Sequence, residues 1–336
     1  MAPFYQDTKM DSLFTTRDPA YHNALKKPIA QLFSMTNMRN YEPHADECTA
    51  IFLKSMKDLQ GKPVDLAIWL QWYAFDVIGN ITFQRKFGFM EQRRDVDHMI
   101  RGIDEALKYV KVITEDEIER YDQEEKDTGR TDFLAQIRGK QAKDGSISQR
   151  DEMNHLSNNL VYQKLVAEIE EADRNGGLSE FVTYEECLKL TYLQAVIKEA
   201  MRMHPGVGFP LERFVPPEGA VICGTHLPGG TNICMSAPTV HYDKAIFGAD
   251  VHEFRPERWL ETTPDQLKTM DRAFLAFGYG ARTCIGKNIS IMEMGKFVPQ
   301  IFRHFDIEWA SPKPEWETHA AWFWKQSEII VKFVSR

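Results

Sequence analysis

Hydrophobic and polar positions along the chain alternate mostly at helical intervals. Tyr21 to Phe33 reads as a first helix, following Asp18-Pro19. From Glu42 to Gln60, Ala45, Cys48, Phe52, Met56 and Leu59 recur at the same spacing, and Gly61 closes the run. Asp65 is placed to cap the next helix. There Leu66, Trp69, Leu70, Tyr73, Ala74, Val77, Ile78 and Ile81 make an apolar stripe wide enough for a packing helix. Asp95 to Ile113 predicts another amphipathic helix, and residues 114–150 predict polar surface loops or a short connector helix. Two further helical pieces, DEMNHLSNNL and VYQKLVAEIEEADRNGG, meet at residues 160 and 161. Thr183-Tyr184-Glu185-Glu186 is a capping-box pattern, predicting a helix through Leu190, Leu193, Ile197 and Met201 that stops before Pro205. Residues 220–240 alternate and contain Pro-Gly-Gly, the signature of a β-hairpin. Ile285, Ile289, Met292, Val298 and Phe302 mark a late helix, and residues 319–333 a closing pair of short strands. The pattern is that of a mainly α fold with small β-sheets, and the length allows one large domain or two ordinary ones.

Composition narrows the function classes. Of 336 residues, 43% are hydrophobic and 27% charged, an ordinary globular balance. A formal charge of −8 argues against a nucleic-acid partner. Five cysteines, at 48, 187, 223, 234 and 284, form no CxxC pair and suit a reducing compartment better than a disulfide framework. The histidines show neither HExxH nor paired zinc spacing. No apolar run reaches the roughly 18 residues of a membrane span. The acidic run EDEIERYDQEEKD reads as a solvated face rather than a metal site.

The chemistry concentrates in FGYGARTCIG, Phe277 to Gly286. Cys284 sits among glycines just before the late helix, where unpaired amides and the helix dipole favour thiolate over thiol. Gly278, Gly280 and Gly286 let the backbone turn and approach a flat partner. Arg282 is placed to pair with an acidic group on that partner. A lone cysteine beside a glycine turn is more often structural. Here, however, F-x-x-G-x-R-x-C-x-G is met in full at Phe277, Gly280, Arg282, Cys284 and Gly286. This stretch resembles the haem-binding loop of the cytochrome P450 family. KEAMRMHP resembles that family's E-x-x-R, giving Glu199 and Arg202, and FRPERW supplies Arg258. The segments FTTRDPAYHNALKKPIAQLFSM and WLQWYAFDVIGNITF are similar to fungal P450s of the pisatin-demethylase type.

The resemblance implies a P450 fold, a single domain over residues 1–336, with haem (iron protoporphyrin IX) held by Cys284 and bordered by Phe277, Gly280, Arg282 and Gly286. Arg213, His22 and Lys26 occupy places where the family puts groups that bind the haem propionates. For the first helix a solvated face is the competing reading, and it suits Lys27 best. Glu199, Arg202 and Arg258 would form a buried network bracing the cysteine loop. Trp322, Phe323 and Trp324 fall where the family has a substrate-pocket turn; core packing is the equal alternative. The activity implied is monooxygenation of a small lipophilic molecule, in fungal secondary metabolism. Dioxygen is the co-substrate, and electrons come from NADPH through a cytochrome P450 reductase. The family's usual place is the endoplasmic reticulum membrane; the cytoplasm is the alternative, because no spanning segment is read here.

One departure is large. The family carries a long central helix with an Ala/Gly-Gly-x-Asp/Glu-Thr-Thr pattern, whose acid–alcohol pair relays protons in oxygen activation. Here no Gly lies between Gly145 and Gly176, and no Thr between Thr131 and Thr183. The fold is therefore expected to be an incomplete P450, without the N-terminal anchor and with an internal deletion near residue 160. Three readings follow: a working monooxygenase, a catalytically defective or haem-binding-only remnant, or a coding sequence that has lost an exon at the junction.

Overall fold

The computed structural model describes residues 12–13, 16, 18–105, 149–320 and 322–336. Helix α1 (Pro19–Ile29) is capped by Asp18, whose carboxylate accepts from the Ala20 amide at 2.8 Å, and a 3₁₀ turn continues it to Phe33. Helix α2 (Met35–Asp58) starts seven residues before the predicted Glu42. Pro43 lies inside it and reads in sequence as a helix start. After strand β1 (Val64–Asp65), Asp65 caps α3 (Leu66–Phe83) as expected, accepting from the Ala67 amide at 3.0 Å. Short α4 (Phe89–Gln92) follows. Its first amides and that of Gly88 converge on the buried carboxylate of Asp76. Helical turns run from 99 to 105; the rest of the predicted 95–113 helix, and residues 114–148, lie outside the described residues.

The two pieces meeting at 160/161 form one uninterrupted helix, α5 (Gln149–Arg174). The capping box at Thr183 is present in full, but it opens only the single-turn α6 (Tyr184–Cys187). The longer helix α7 (Thr191–Met203) starts afresh after Leu190, whose φ −79° and ψ 85° are not helical. The expected continuous helix is thus two. The expected hairpin is likewise two, nested. Strand β2 (Leu211–Phe214) pairs antiparallel with β5 (Asn232–Met235), and between them β3 (Ala220–Ile222) pairs with β4 (Thr225–Leu227). The inner turn is at Cys223-Gly224, both with positive φ, and Pro-Gly-Gly lies outside it. Two short helices follow, α8 (Ala237–His241) and α9 (Lys244–Phe247), then α10 (Pro264–Ala273). Helix α11 (Lys287–His304) runs directly into β6 (Phe305–Trp309). The chain ends in the hairpin β7 (Glu317–Ala320) and β8 (Trp324–Ser327), then β9 (Ile330–Ser335), which lies between β1 and β6.

The main core sits where α2, α3, α11 and β9 meet. Phe52 is its centre, packed edge-on against Trp69, Tyr73, Phe297 and Phe333 with ring centroids 4.9–6.3 Å apart. A smaller cluster, Phe247, Val251, Trp259 and Met270, closes the region between α7 and α10. Helix α3 buries Trp69, Tyr73 and Val77, yet the other half of its apolar stripe faces outward, with Leu70 38% and Ile78 40% exposed. No helix among the described residues is long and apolar enough to cross a membrane.

Helix α11 also carries a buried polar seam. Lys296 Nζ donates to Glu42 (2.8 Å) and to the Val182 carbonyl (2.7 Å), and it pairs with Asp46 at 3.0 Å. One turn earlier, Glu293 has no such partner among the described residues, and burial pushes its carboxyl up to about 8 from an ordinary 4.5. The folded state therefore holds this proton more tightly than the unfolded chain does. The resulting penalty is absent below the unfolded value, grows as pH rises and is complete above about 8. Glu293→Gln is expected to stabilise the fold by about 1–3 kcal/mol at pH 8.5 and by little at pH 4.5, read from denaturant midpoints at the two pH values.

Candidate functional site

Residues 274–287 form a tight loop that delivers Cys284 to the start of α11. Gly278 donates to the Leu275 carbonyl at 2.8 Å, and the Cys284 amide closes back on the Phe277 carbonyl at 2.8 Å. Gly278 and Gly280 take φ of 72° and 69°, the left-handed region that glycine enters without penalty. A single 3₁₀ turn, Gly280–Arg282, then lifts the chain into α11, whose N-cap Gly286 offers no side-chain acceptor to the first amides. The Cys284 thiol is exposed. A Cβ at Gly280 would meet nothing within 4 Å, so the loop is open at that residue.

Basic side chains gather on this loop from distant parts of the chain. Lys26 Nζ donates to the Ala281 carbonyl at 2.7 Å, and Arg213 Nη2 to the Tyr279 carbonyl at 3.3 Å. Arg282 Nη2 donates to the Thr16 carbonyl at 2.8 Å and Nη1 to that of Leu13 at 3.4 Å. His22 is buried beside them, and burial, then the charges of Arg282 and Lys26, hold its imidazole below the ordinary range. The structure thus brings Lys26, Arg213, Arg282 and His22 to one place. Among the described residues, none of the four makes an ion pair with a carboxylate. Three cations, Lys26, Arg213 and Arg282, bonded to carbonyls near an exposed thiol, with His22 beside them, fit a flat cofactor that brings its own carboxylates.

Behind the loop lies the predicted network, fully formed. Glu199 and Arg202 are 0% exposed and Arg258 is 3% exposed. The three-residue spacing on α7 places Glu199 and Arg202 side by side, and the guanidinium grips the carboxylate twice, at 2.9 Å and 2.9 Å. Arg258 Nε reaches Glu199 Oε1 at 3.2 Å. Sequence reasoning missed three further donors and acceptors. Trp259 Nε1 donates to Glu199 Oε2 at 2.9 Å, and the Arg255 amide to Oε1 at 3.1 Å. Asp250 accepts from Arg258 at 2.7 Å and from Arg255 at 2.5 Å. The only sequence hint was proximity: Trp259 follows Arg258 directly in FRPERW. Arg202 and Arg258 also donate to main-chain carbonyls of His241, Glu253, Phe247 and Asp250. The network therefore staples α7 to the long segment leading into the cysteine loop.

The aromatic trio near the C-terminus divides between the two readings. Trp322 stacks on Phe209 with ring centroids 5.4 Å apart, and Trp324 packs edge-on against His204 at 5.4 Å. A Cβ on Gly208 would collide with the Trp324 indole, so only glycine admits this contact. Phe323 alone is exposed, at 47%.

Comparison with known proteins shows the family. The profile of the cytochrome P450 family matches residues 2–113 and 153–333. A cytochrome P450 monooxygenase of Aspergillus terreus is 34% identical, over 88% of this chain and 73% of its own length. The monooxygenase cicH of Emericella nidulans is 31% identical, over 100% of this chain and 79% of its own. A pisatin demethylase of Fusarium vanettenii is 34% identical, over 94% and 71%. The alignment with cicH runs over 394 positions against the 336 residues here, so that relative carries interior residues with no counterpart in this chain. Among solved structures, the haem domain of a cytochrome P450DA mutant superposes with a TM-score of 0.73 at 17% identity, covering 97% of this chain and 79% of that one.

The network predicts its own sensitivity. Removing one partner leaves a buried charge uncompensated. Arg258→Ala is expected to lower stability by about 3–5 kcal/mol in a denaturant titration. Arg258→Lys should recover only part, because one ammonium cannot serve Glu199, Asp250 and the carbonyls together.

Proposed function

The chain belongs to the cytochrome P450 family, and we propose that it binds haem as a thiolate complex through Cys284, with Lys26, Arg213, Arg282 and His22 receiving the two propionates. The observation that carries this reading is the exposed thiol at the start of α11, ringed by cations that lack carboxylate partners among the described residues. When bound, the haem supplies the activation of dioxygen for insertion of one oxygen atom into substrate. The chain's own residues do the rest. The loop hydrogen bond from the Cys284 amide to Phe277 fixes the thiol's direction. The Glu199 network keeps that loop from moving. The cations orient the ring by its acidic edge. By family the activity is monooxygenation. The substrate class is a small lipophilic molecule of fungal secondary metabolism, with NADPH–cytochrome P450 reductase as electron donor. The relatives' names support this reading. The family's place at the endoplasmic reticulum is part of the same proposal.

A second reading concerns turnover. The chain forms one domain with an internal deletion at about residue 160, and it is a weak catalyst or none. Helix α5 runs unbroken through the junction, and among the described residues no element covers the outward stripe of α3 at Leu70 and Ile78. The acid–alcohol pair that relays protons in the family has no counterpart in the sequence. Purified protein with reductase, NADPH and dioxygen is expected to oxidise lipophilic substrates little or not at all; substantial NADPH-dependent oxidation overturns this second reading. A transcript with an insert encoding a Gly-x-Asp-Thr-Thr-like segment would place the loss in the coding sequence.

Thiol labelling tests the first reading without turnover. Cys48 and Cys187 are buried, and burial pushes both thiols up to about 12, so they stay silent in the folded protein. Cys223, Cys234 and Cys284 are exposed and are expected to react. Haem loading is expected to protect Cys284 alone, and Cys284→Ser to show the same count with and without haem. Continued labelling of Cys284 in the haem-loaded protein contradicts the assignment.

A further inference from the structure

We propose that His241 is a positioning residue that transmits the buried Glu199–Arg202 pair to the segment carrying Cys284. His241 is the last residue of α8 and is 0% exposed. Its Nδ1 lies 2.9 Å from the Arg202 carbonyl oxygen, and its Nε2 lies 2.8 Å from the Leu275 amide nitrogen. A carbonyl only accepts and an amide only donates. Both bonds therefore require one species, the neutral ring with its proton on Nδ1. An imidazolium would set an N–H against the Leu275 N–H. The pocket enforces the neutral form. Phe274 stacks on the ring at 5.3 Å and 9°, and Phe247 approaches edge-on at 6.0 Å. The charged groups facing it are Arg202 and Glu199, both on α7. Burial pulls the imidazole down to about 4 from an ordinary 6.5.

The bridge is continuous in both directions. Arg202 Nη1 returns a hydrogen bond to the His241 carbonyl at 2.9 Å, so one residue grips both the guanidinium and the backbone of Arg202. On the other side, the Leu275 carbonyl accepts from Gly278, and two residues further on the Phe277 carbonyl accepts from Cys284. Arg258 and Trp259 hold Glu199, and the Trp259 ring packs edge-on against Phe274 at 5.7 Å, but among the described residues neither makes a hydrogen bond to Phe274 or Leu275. His241 supplies that link. The proposal rests on the haem reading only for its purpose, since the path of bonds exists without haem.

Two substitutions separate the ring's halves. In His241→Asn the short amide reaches the Nδ1 position, keeping the bond to Arg202 and losing the acceptor for Leu275. In His241→Gln the longer amide reaches the Nε2 position and keeps that acceptor. Hydrogen exchange at pH 7, read by mass spectrometry on the haem-free full chain, is the measurement. His241→Asn is expected to speed exchange in residues 275–284 by about fivefold or more while α7 stays protected, and His241→Gln to remain within about twofold of the parent. Unchanged exchange in His241→Asn, or equal loosening of the loop and α7 in both variants, overturns the proposal. Because haem is not used, failure of the haem reading leaves this result intact. If neither variant folds, ¹⁵N NMR of labelled histidine in the parent chain decides. An Nδ1–H tautomer with no titration down to about pH 5 supports the bridge. An Nε2–H tautomer, or titration near the ordinary value, refutes it.

Discussion

The carboxylate of Glu199 accepts five hydrogen bonds, two from Arg202 and one each from Arg258, Trp259 and the Arg255 amide. It has no contact with water, so every one of these bonds must be present for the charge to be tolerated. That requirement links parts of the chain far apart in sequence. Helix α7 supplies the acid, the segment around 250–259 supplies the donors, and both must be in register before either is stable. The cysteine loop begins shortly after that segment. On our proposal the network braces that loop without any of its bonds reaching Cys284.

The same logic shows where the fold is under-supported. Helix α3 has a nearly continuous apolar surface, and burying one half against α2 and α11 leaves Leu70 and Ile78 outward. Full burial of a Leu- or Ile-sized side chain is worth about 1.5–3 kcal/mol, and Leu70 and Ile78, 38% and 40% exposed, forgo only part of it. The relative cicH, aligned over this whole chain, carries additional interior residues. The loop end of the molecule has its thiol and its basic side chains, whereas among the described residues no element covers Leu70 and Ile78.

Much of this was legible in sequence because the signals were local. Asp65 and Thr183 cap helices through side chains two or three residues away, and both act as read. Glu199 and Arg202 sit on one helix turn, and Cys284 lies in a motif with five fixed positions. What was not legible depends on backbone conformation or on distant partners. The helix through Thr183 breaks at Leu190 because the chain turns there, although the apolar spacing continues across the break. The turn of the inner hairpin falls at Cys223-Gly224 rather than at Pro-Gly-Gly, since pairing of β2 with β5 places Pro-Gly-Gly outside the inner pair. Asp250 and His241 carry no motif at all. Their roles appear only when the segment after α7 folds back on Arg202 and Arg258.

The central claim is that this brace, loop and cation set together hold haem by a cysteine thiolate. The reduced, CO-bound difference spectrum of protein expressed with ample haem tests it most directly. A thiolate-type Soret band, lost in Cys284→Ser, is the predicted result. No band, or one of the thiol or histidine type in the parent protein, would show that the pocket does not assemble around Cys284 and would contradict the account.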